Sequence, residues 1–205
     1  LKDKYSINFL HDEAKSIDFD RKIISTNNYN IHYDKLVLSP GIELDYFNIE
    51  NWNNNSSKKF PAAWKAGKET ILLSQQIKNI EDGGVVGLSI PLSPYRCPPG
   101  PYERASLIAS YLKRNKRRTK LIILDANEKI VSKGKLFKDS WDKYYSNIIE
   151  YRPNSGVVGI NNDTRTLITD FDDIKCSVAN LIPRQTSVSI LQKNNLVPEG
   201  QSWAA

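Results

Sequence analysis

Residues 85–125 read VVGLSIPLSPYRCPPGPYERASLIASYLKRNKRRTKLIILD, and this stretch decides the fold. Its two short apolar runs, 85–90 and 120–124, are typical of buried parallel strands. Between them, Glu103–Arg114 carries its apolar residues on one side and predicts an amphipathic helix. A strand–loop–helix–strand unit of this length, with Asp125 after the second strand, is typical of a dinucleotide-binding crossover.

The loop after the first strand differs from the loop that binds phosphate in such a crossover. The usual turn is Gly-x-Gly-x-x-Gly, whose backbone N–H groups approach a pyrophosphate at the helix N-terminus. Here five prolines stand in residues 91–101. Each proline removes one N–H donor and fixes one φ angle. The sequence therefore predicts a Rossmann-like unit that does not bind NAD in the usual way.

The same loop carries one cysteine in a stiff frame. Cys97 follows Arg96, and the predicted helix begins just beyond it. A nearby cation and a helix N-terminus both favour the thiolate, which is the reactive form of cysteine. Glu103, in the first helical turn, is either a proton acceptor or a helix-start anion. The alternative is that Cys97 is a small buried hydrophobe and Glu103 a helix cap.

The rest of the chain predicts a mixed α/β fold with an antiparallel beginning. Three strands are expected in the first forty residues, at Tyr5–Leu10, Lys22–Thr26 and Tyr33–Ser39, the last of which runs into a Pro-Gly turn. Further helices are expected over 65–80 and 136–145, and short strands over 155–160, 166–169 and 178–182. The region from residue 183 onward reads as loop and helix fragments.

Composition narrows the function classes. The chain has 205 residues, a net charge of +6, 40% hydrophobic and 25% charged residues, which is ordinary globular usage. No apolar run approaches the roughly 18 residues of a membrane helix, so no membrane span is expected. Basic residues are scattered except over 113–120, which argues against a nucleic-acid partner. The two histidines lack metal-ligand spacing, so no metal site is expected.

Five strings of the sequence resemble the flavoprotein subunit of flavocytochrome c sulfide dehydrogenase. The most specific string is Cys-Pro-Pro-Gly-Pro-Tyr-Glu-Arg at 97–104. The resemblance runs in order through nearly the whole chain. The other four strings are Tyr-Asp-Lys-Leu-Val-Leu-Ser-Pro-Gly-Ile-Glu-Leu at 33–44, Ala-Ala-Trp-Lys-Ala-Gly at 62–67, His-Asp-Glu-Ala at 11–14 and Asn-Leu-Ile-Pro at 180–183.

The resemblance implies an α/β protein with two dinucleotide-binding domains, in the manner of the pyridine nucleotide–disulfide reductases. Residues 1–49 would be a partial FAD-binding domain, containing the antiparallel meander and the Ser-Pro-Gly turn. Residues 50–182 would be a complete second Rossmann-like domain with a degenerate nucleotide loop. Residues 183–205 would begin the return into the FAD domain. Since the sequence has no Met and opens at Leu1, we interpret it as an internal piece of a longer chain.

The resemblance also implies the chemistry. Family members oxidise sulfide in the periplasm through a redox-active disulfide and FAD, and pass the electrons to a c-type cytochrome subunit. Cys97 matches the first half of that disulfide, whose partner would lie beyond residue 205, while Cys176 is expected to be structural. The catalytic residues implied are Cys97, Glu103 as a base and Arg96 as a cation that favours the thiolate. The cofactor-binding residues implied are Ala14, Ser39, Pro40 and Gly41.

Two other function classes stay open at this point. One is a sulfide:quinone reductase-like flavoprotein, which would pass electrons to quinone at a membrane surface. The other is a non-catalytic flavoprotein segment that binds at most part of FAD, because the phosphate-binding glycines are missing from the sequence.

Overall fold

The computed structural model describes residues 2–203, and their side chains from Lys4 onward. The chain divides into two compact units: one runs up to Glu43 and resumes at Gln185, and the other is Leu44–Arg184. The ranges expected from the sequence, 1–49, 50–182 and 183–205, stay predictions. Positions 1, 204 and 205 of those ranges lie outside the described residues.

Helices and strands alternate over residues 68–152 of the second unit, and four more strands follow over residues 157–181. The helices are α1 Lys2–Tyr5, α2 Lys68–Asn79, α3 Gly100–Asn115, α4 Gly134–Tyr145 and α5 Ser189–Lys193, with a 3₁₀ turn at Ser56–Lys58. The strands are β1 Ala14–Asp18, β2 Ile23–Thr26, β3 Asn30–His32, β4 Ile42–Asp45, β5 Val85–Ile90, β6 Lys120–Asp125, β7 Ile149–Arg152, β8 Val157–Asn161, β9 Thr166–Thr169, β10 Asp173–Lys175, β11 Val178–Leu181 and β12 Arg184–Ser187. Over residues 2–203, no helix is both long enough and apolar enough to cross a bilayer.

A four-stranded parallel sheet forms the centre of the second unit. Its strand order is β11-β5-β6-β7, and β5 and β6 pair with Val86 opposite Leu121 and Leu88 opposite Ile123. This sheet confirms the mixed α/β class and the β5–α3–β6 crossover expected from residues 85–125. The strands β5 and β6 are continuous apolar runs because a parallel sheet is covered on both faces, so both sets of side chains are buried.

Two hydrophobic clusters cover the two faces of the sheet. In β6, Leu121 and Ile123 belong to the cluster that includes residues of α2, α3 and α4, whereas Ile122 and Leu124 belong to the cluster that includes residues of β8–β10. Successive side chains of a strand point to opposite faces, so this run supplies both clusters. The antiparallel sheet β10-β9-β8 thus covers one face and the helices cover the other.

The first unit contains an antiparallel meander of β1, β2 and β3. Two strands expected there are wrong. Residues 6–10 carry no regular structure, and residues 33–41 form no strand. The hairpin ends where the Tyr33 N–H donates to the Lys22 carbonyl at 3.0 Å, because β2 offers no partner before Ile23. An extended segment without a neighbour is not a strand, however well its residues alternate.

Gly87 in β5 lies where the parallel sheet closely approaches Cys176 and Leu167 of β9. A Cβ at this position would lie 2.5 Å from Cys176 Sγ and 2.8 Å from Leu167 Cδ1. We expect Gly87→Ala to lower the free energy of unfolding by about 1–3 kcal/mol, because the added methyl group overpacks a closed core. Urea unfolding followed by circular dichroism measures this. Gly134→Ala is the matched control, since its Cβ would meet Ile130 at an ordinary 3.4 Å.

Candidate functional site

The proline-rich loop presents Cys97 at the start of α3. Cys97 is an exposed, free cysteine with a left-handed φ of 58°. Few residues with a side chain adopt this conformation, and those that do are held in place by their surroundings. The Cys97 carbonyl accepts a 2.8 Å hydrogen bond from the Gly100 N–H, and Pro98 and Pro99 restrict the backbone between them. The loop therefore displays the thiol instead of burying it.

The three residues expected to be catalytic lie within this loop and the first turn of α3. Arg96 and Glu103 are both exposed, as Cys97 is. The Glu103 N–H donates to the Pro99 carbonyl at 3.0 Å, which places its carboxylate in the first helical turn. The structure excludes the interpretation of Cys97 as a buried hydrophobe. The catalytic roles of the three residues stay predictions.

Asp125, at the end of β6, is fully buried and accepts four hydrogen bonds from the protein itself. Its Oδ2 accepts from the Tyr102 hydroxyl at 2.8 Å and from the Tyr151 hydroxyl at 2.9 Å. Its Oδ1 accepts from the Asn127 N–H at 2.9 Å and the Asn127 Nδ2 at 2.7 Å. In a dinucleotide-binding crossover, an acid near this point accepts hydrogen bonds from a ribose. Here two tyrosine hydroxyls take the place of the sugar.

The network around Asp125 also holds the cysteine loop. Asn127 Oδ1 accepts a 2.9 Å hydrogen bond from the Ser93 N–H, in the first half of the loop. The Tyr95 hydroxyl lies 3.3 Å from the Pro98 carbonyl oxygen and 3.5 Å from the Tyr102 hydroxyl. The backbone on both sides of Cys97 is therefore tied to side chains that surround the carboxylate.

The tyrosines of the network remain proton donors at neutral pH. Burial raises the pKa of Tyr95 to about 12. Burial is also the largest cause that raises the pKa of Tyr102 and that of Tyr151, and for both a hydrogen bond to Asp125 adds to it. A neutral hydroxyl donates to the carboxylate, whereas a tyrosinate would repel it.

The four residues expected to bind FAD lie in the first unit and are exposed: Ala14 in β1, and Ser39, Pro40 and Gly41 just before β4. Gly41 has a φ of 83°, and a Cβ there would meet nothing within 4 Å. This turn is an open piece of backbone that a flat ring can approach, so the residues fit one part of a FAD site. The 205 residues contain no Gly-x-Gly-x-x-Gly turn for the pyrophosphate. The assignment of the four residues stays a prediction.

Sequence reasoning noted Asp125 but missed the residues that surround it. Tyr95, Tyr102 and Tyr151 occupy apolar positions of a loop, a helix and a strand, where a tyrosine reads as ordinary core. Asp125, to which both Tyr102 and Tyr151 donate, lies 23 residues from Tyr102 and 26 residues from Tyr151 along the chain. One sequence signal could have pointed to a network of protein donors around Asp125: an acid at the end of a strand occurs together with a loop that lacks phosphate-binding glycines.

The sequence matches one described protein family over residues 70–183, which is more than half of the chain. That family is the sulfide dehydrogenase (flavocytochrome c) flavoprotein chain, central region. The matched range contains the whole crossover, the proline-rich loop and the four strands of the parallel sheet.

Solved structures of flavin- and nicotinamide-dependent enzymes have a similar fold. A pyridine nucleotide-disulfide family oxidoreductase from Enterococcus faecalis has a TM-score of 0.65 at 14% identity, covering 95% of this chain and 43% of that one. A water-forming NADH oxidase from Lactobacillus brevis, bound to NADH, has a TM-score of 0.63 at 14% identity, and the match covers 92% of this chain and 41% of the oxidase. A FAD-dependent pyridine nucleotide-disulphide oxidoreductase from Desulfovibrio vulgaris has a TM-score of 0.56 at 14% identity, and the match covers 92% of this chain and 47% of that oxidoreductase.

At these identities the similar structures establish the fold alone, and the chain spans less than half the length of each of the three. The fold expected from the sequence, with Rossmann-like domains of the pyridine nucleotide–disulfide reductase type, is confirmed. FAD is confirmed as the cofactor of the family that the chain matches.

Because its tyrosines are buried, we expect the free energy of unfolding of the protein to fall above pH 10. An unfolded chain loses tyrosine protons near pH 10, whereas the folded chain keeps that of Tyr95 until about pH 12. Between these values the folded state binds more protons, so the free energy of unfolding decreases as the pH rises. We expect Tyr95→Phe to flatten this decrease, as measured by urea unfolding from pH 9 to 12. Tyr29→Phe, at an exposed position, should leave it unchanged.

Proposed function

Because the chain belongs to the family of the flavocytochrome c sulfide dehydrogenase flavoprotein chain, we propose that it is part of a FAD-dependent enzyme that oxidises sulfide. The enzyme passes the electrons to a c-type cytochrome subunit in the periplasm. The observation that carries this proposal is the exposed, left-handed Cys97 at the start of α3, on a loop that cannot serve as a phosphate-binding loop.

Cys97 acts as one half of a disulfide whose other cysteine lies beyond this sequence. Hydrosulfide attacks one sulfur of that bond, as in thiol–disulfide exchange. A new S–S bond forms, the old S–S bond breaks, and its electron pair leaves on the released thiolate. When bound, FAD supplies a two-electron acceptor that can also release electrons to a haem protein.

The other residues of the loop support this step. Arg96 precedes Cys97 and is exposed, and its positive charge attracts the hydrosulfide anion to this end of α3. Glu103 accepts the proton that hydrogen sulfide releases when it becomes hydrosulfide. The prolines hold the sulfur in one place, and displacement of a reacting group by about 1 Å can cost roughly a hundredfold in rate.

Cys176 takes no part in this chemistry. It is buried in the hydrophobic cluster that includes residues of β8–β10, and its Sγ donates to the Ile174 carbonyl at 3.3 Å. Burial raises the pKa of the Cys176 thiol to about 12, so almost none of it is thiolate at neutral pH. A buried thiol of this kind is an inert packing group.

The loop and Asp125 also explain why this unit would not use a nicotinamide coenzyme. Five prolines remove the N–H donors that a pyrophosphate needs. The acid that would bind a ribose already accepts four hydrogen bonds. The disulfide that contains Cys97, and not a nicotinamide coenzyme, would therefore be the electron donor that this unit offers to a bound flavin.

Cys97→Ser in the flavoprotein that contains this chain tests the proposal. We expect the purified variant to keep its flavin but to lose the bleaching of the flavin absorbance by sulfide, because the serine hydroxyl cannot form the S–S bond. Stopped-flow absorbance at the flavin band measures the rate.

Cys176→Ser is the matched control and should bleach at the wild-type rate. If Cys97→Ser bleaches as fast as the wild type, Cys97 has no role in sulfide oxidation. If bleaching is lost but added cytochrome c is never reduced by the wild type, the electron acceptor is a quinone or another carrier.

A further inference from the structure

Residues 61–64 are held against α3 by two side chains. The Arg104 guanidinium donates to the carbonyl oxygens of Ala62 at 2.9 Å and Ala63 at 2.6 Å. It also donates to Asn180 Oδ1 at 2.9 Å. Asn180 Nδ2 in turn donates to the carbonyls of Pro61 and Ala62, at 2.7 and 2.8 Å. Four hydrogen bonds thus fix residues 61–63, which belong to no helix or strand, and a fifth joins the two side chains that donate them.

The fixed segment has an unusual backbone. Ala63 is buried and has a left-handed φ of 50°. Its N–H donates to Glu69 Oε2 at 2.9 Å. Few residues with a Cβ adopt this conformation, and those that do are held in it by their surroundings. The hydrogen bonds from Arg104 and to Glu69 keep Ala63 in this conformation. The next residue, Trp64, then lies with its ring edge near Gly100 at the beginning of α3.

The Trp64 indole lies between Arg104 and the cysteine loop. The Arg104 guanidinium is 5.0 Å from the centre of the indole ring. The far edge of the indole borders Gly100, where a Cβ would lie 2.8 Å from Trp64 Cη2 and 3.1 Å from Cys97 Sγ. The indole edge and the sulfur therefore border the same small space, which only glycine leaves open.

We propose that Trp64 is a specificity-determining residue that forms a wall beside Cys97 Sγ and admits small sulfur nucleophiles in preference to bulky thiols. The inference rests on the proposed function for its substrate, hydrosulfide, which is the smallest such nucleophile. A rigid aromatic edge on one side of the sulfur leaves a narrower approach, and a thiol that carries a chain collides with it.

Arg104 is the positioning residue for this wall. Burial lowers the pKa of the Arg104 guanidinium. Its neutral acceptors are the carbonyls of Ala62 and Ala63 and the Asn180 amide oxygen. A planar guanidinium reaches three acceptors and stacks on an indole at the same time, which a lysine ammonium cannot do.

The test compares two alkylating reagents of equal chemistry and different size on the intact flavoprotein that contains this chain, after its disulfide has been reduced. Iodoacetamide is small, and N-cyclohexyl iodoacetamide is bulky but not flat, so it does not stack on an indole. The ratio of their rate constants at Cys97, followed by peptide mass spectrometry, is independent of the thiolate fraction. We expect Trp64→Ala to raise the relative rate of the bulky reagent at least about threefold.

Trp52→Phe is the matched control, because Trp52 stacks on Tyr46 and belongs to the other cluster. It should leave the ratio unchanged. Trp64→Phe, which keeps an aromatic ring, should fall between wild type and Trp64→Ala. If Trp64→Ala moves the ratio no more than the Trp52 variant does, the wall is disproved. If Arg104→Lys keeps the wild-type ratio, Arg104 has no positioning role.

Gly100→Ala provides a second variant that does not remove the tryptophan. The added methyl group would occupy the space that Trp64 and Cys97 border, so we expect it to slow both reagents at Cys97. A wild-type rate in this variant would show that the two side chains do not meet there. The reagent ratio requires no flavin, so it can hold even if Cys97→Ser shows that sulfide oxidation does not use this cysteine.

Discussion

The carboxylate of Asp125 is the group on which the rest of the second unit depends. It is fully buried, and it is stable there because four donors of the same chain surround it. A buried carboxylate without such donors would be costly, so removing one donor affects all of them. Since Tyr102 is in α3, Tyr151 in β7 and Asn127 follows β6, this one group fixes where a helix starts and how two strands end.

The same group connects the sheet to the cysteine. Tyr95 and Asn127 extend the network into the loop, which keeps Cys97 in a left-handed conformation that a free loop would leave. On the opposite flank, Arg104 and Asn180 hold the segment that ends in Trp64. Cys97 and the residue before Trp64, Ala63, both have a left-handed backbone, and the side chains of Cys97 and Trp64 border Gly100. The loop that carries phosphate-binding glycines in a dinucleotide-binding crossover here presents a sulfur atom.

Sequence reasoning reached the parallel sheet because its signal is local. The runs that became β5 and β6, and the apolar face of α3, are visible within about forty residues. The expected strand at Tyr33–Ser39 failed because pairing depends on a neighbour, and β2 offers none beyond Tyr33. The Cys97 loop was found through its prolines and through family resemblance. Arg104 was not singled out, since its partners Ala62 and Ala63 lie 42 and 41 residues away.

The tyrosine hydroxyls on Asp125 have a consequence for how the protein behaves in a cell. A domain that binds a soluble coenzyme is stabilised by mass action, by an amount that grows with the logarithm of the coenzyme concentration. This unit carries the equivalent hydroxyl groups on its own tyrosine side chains, at an effective concentration that never changes. The four hydrogen bonds to Asp125 therefore stabilise this unit to the same extent whether reduced or oxidised nicotinamide is scarce or abundant.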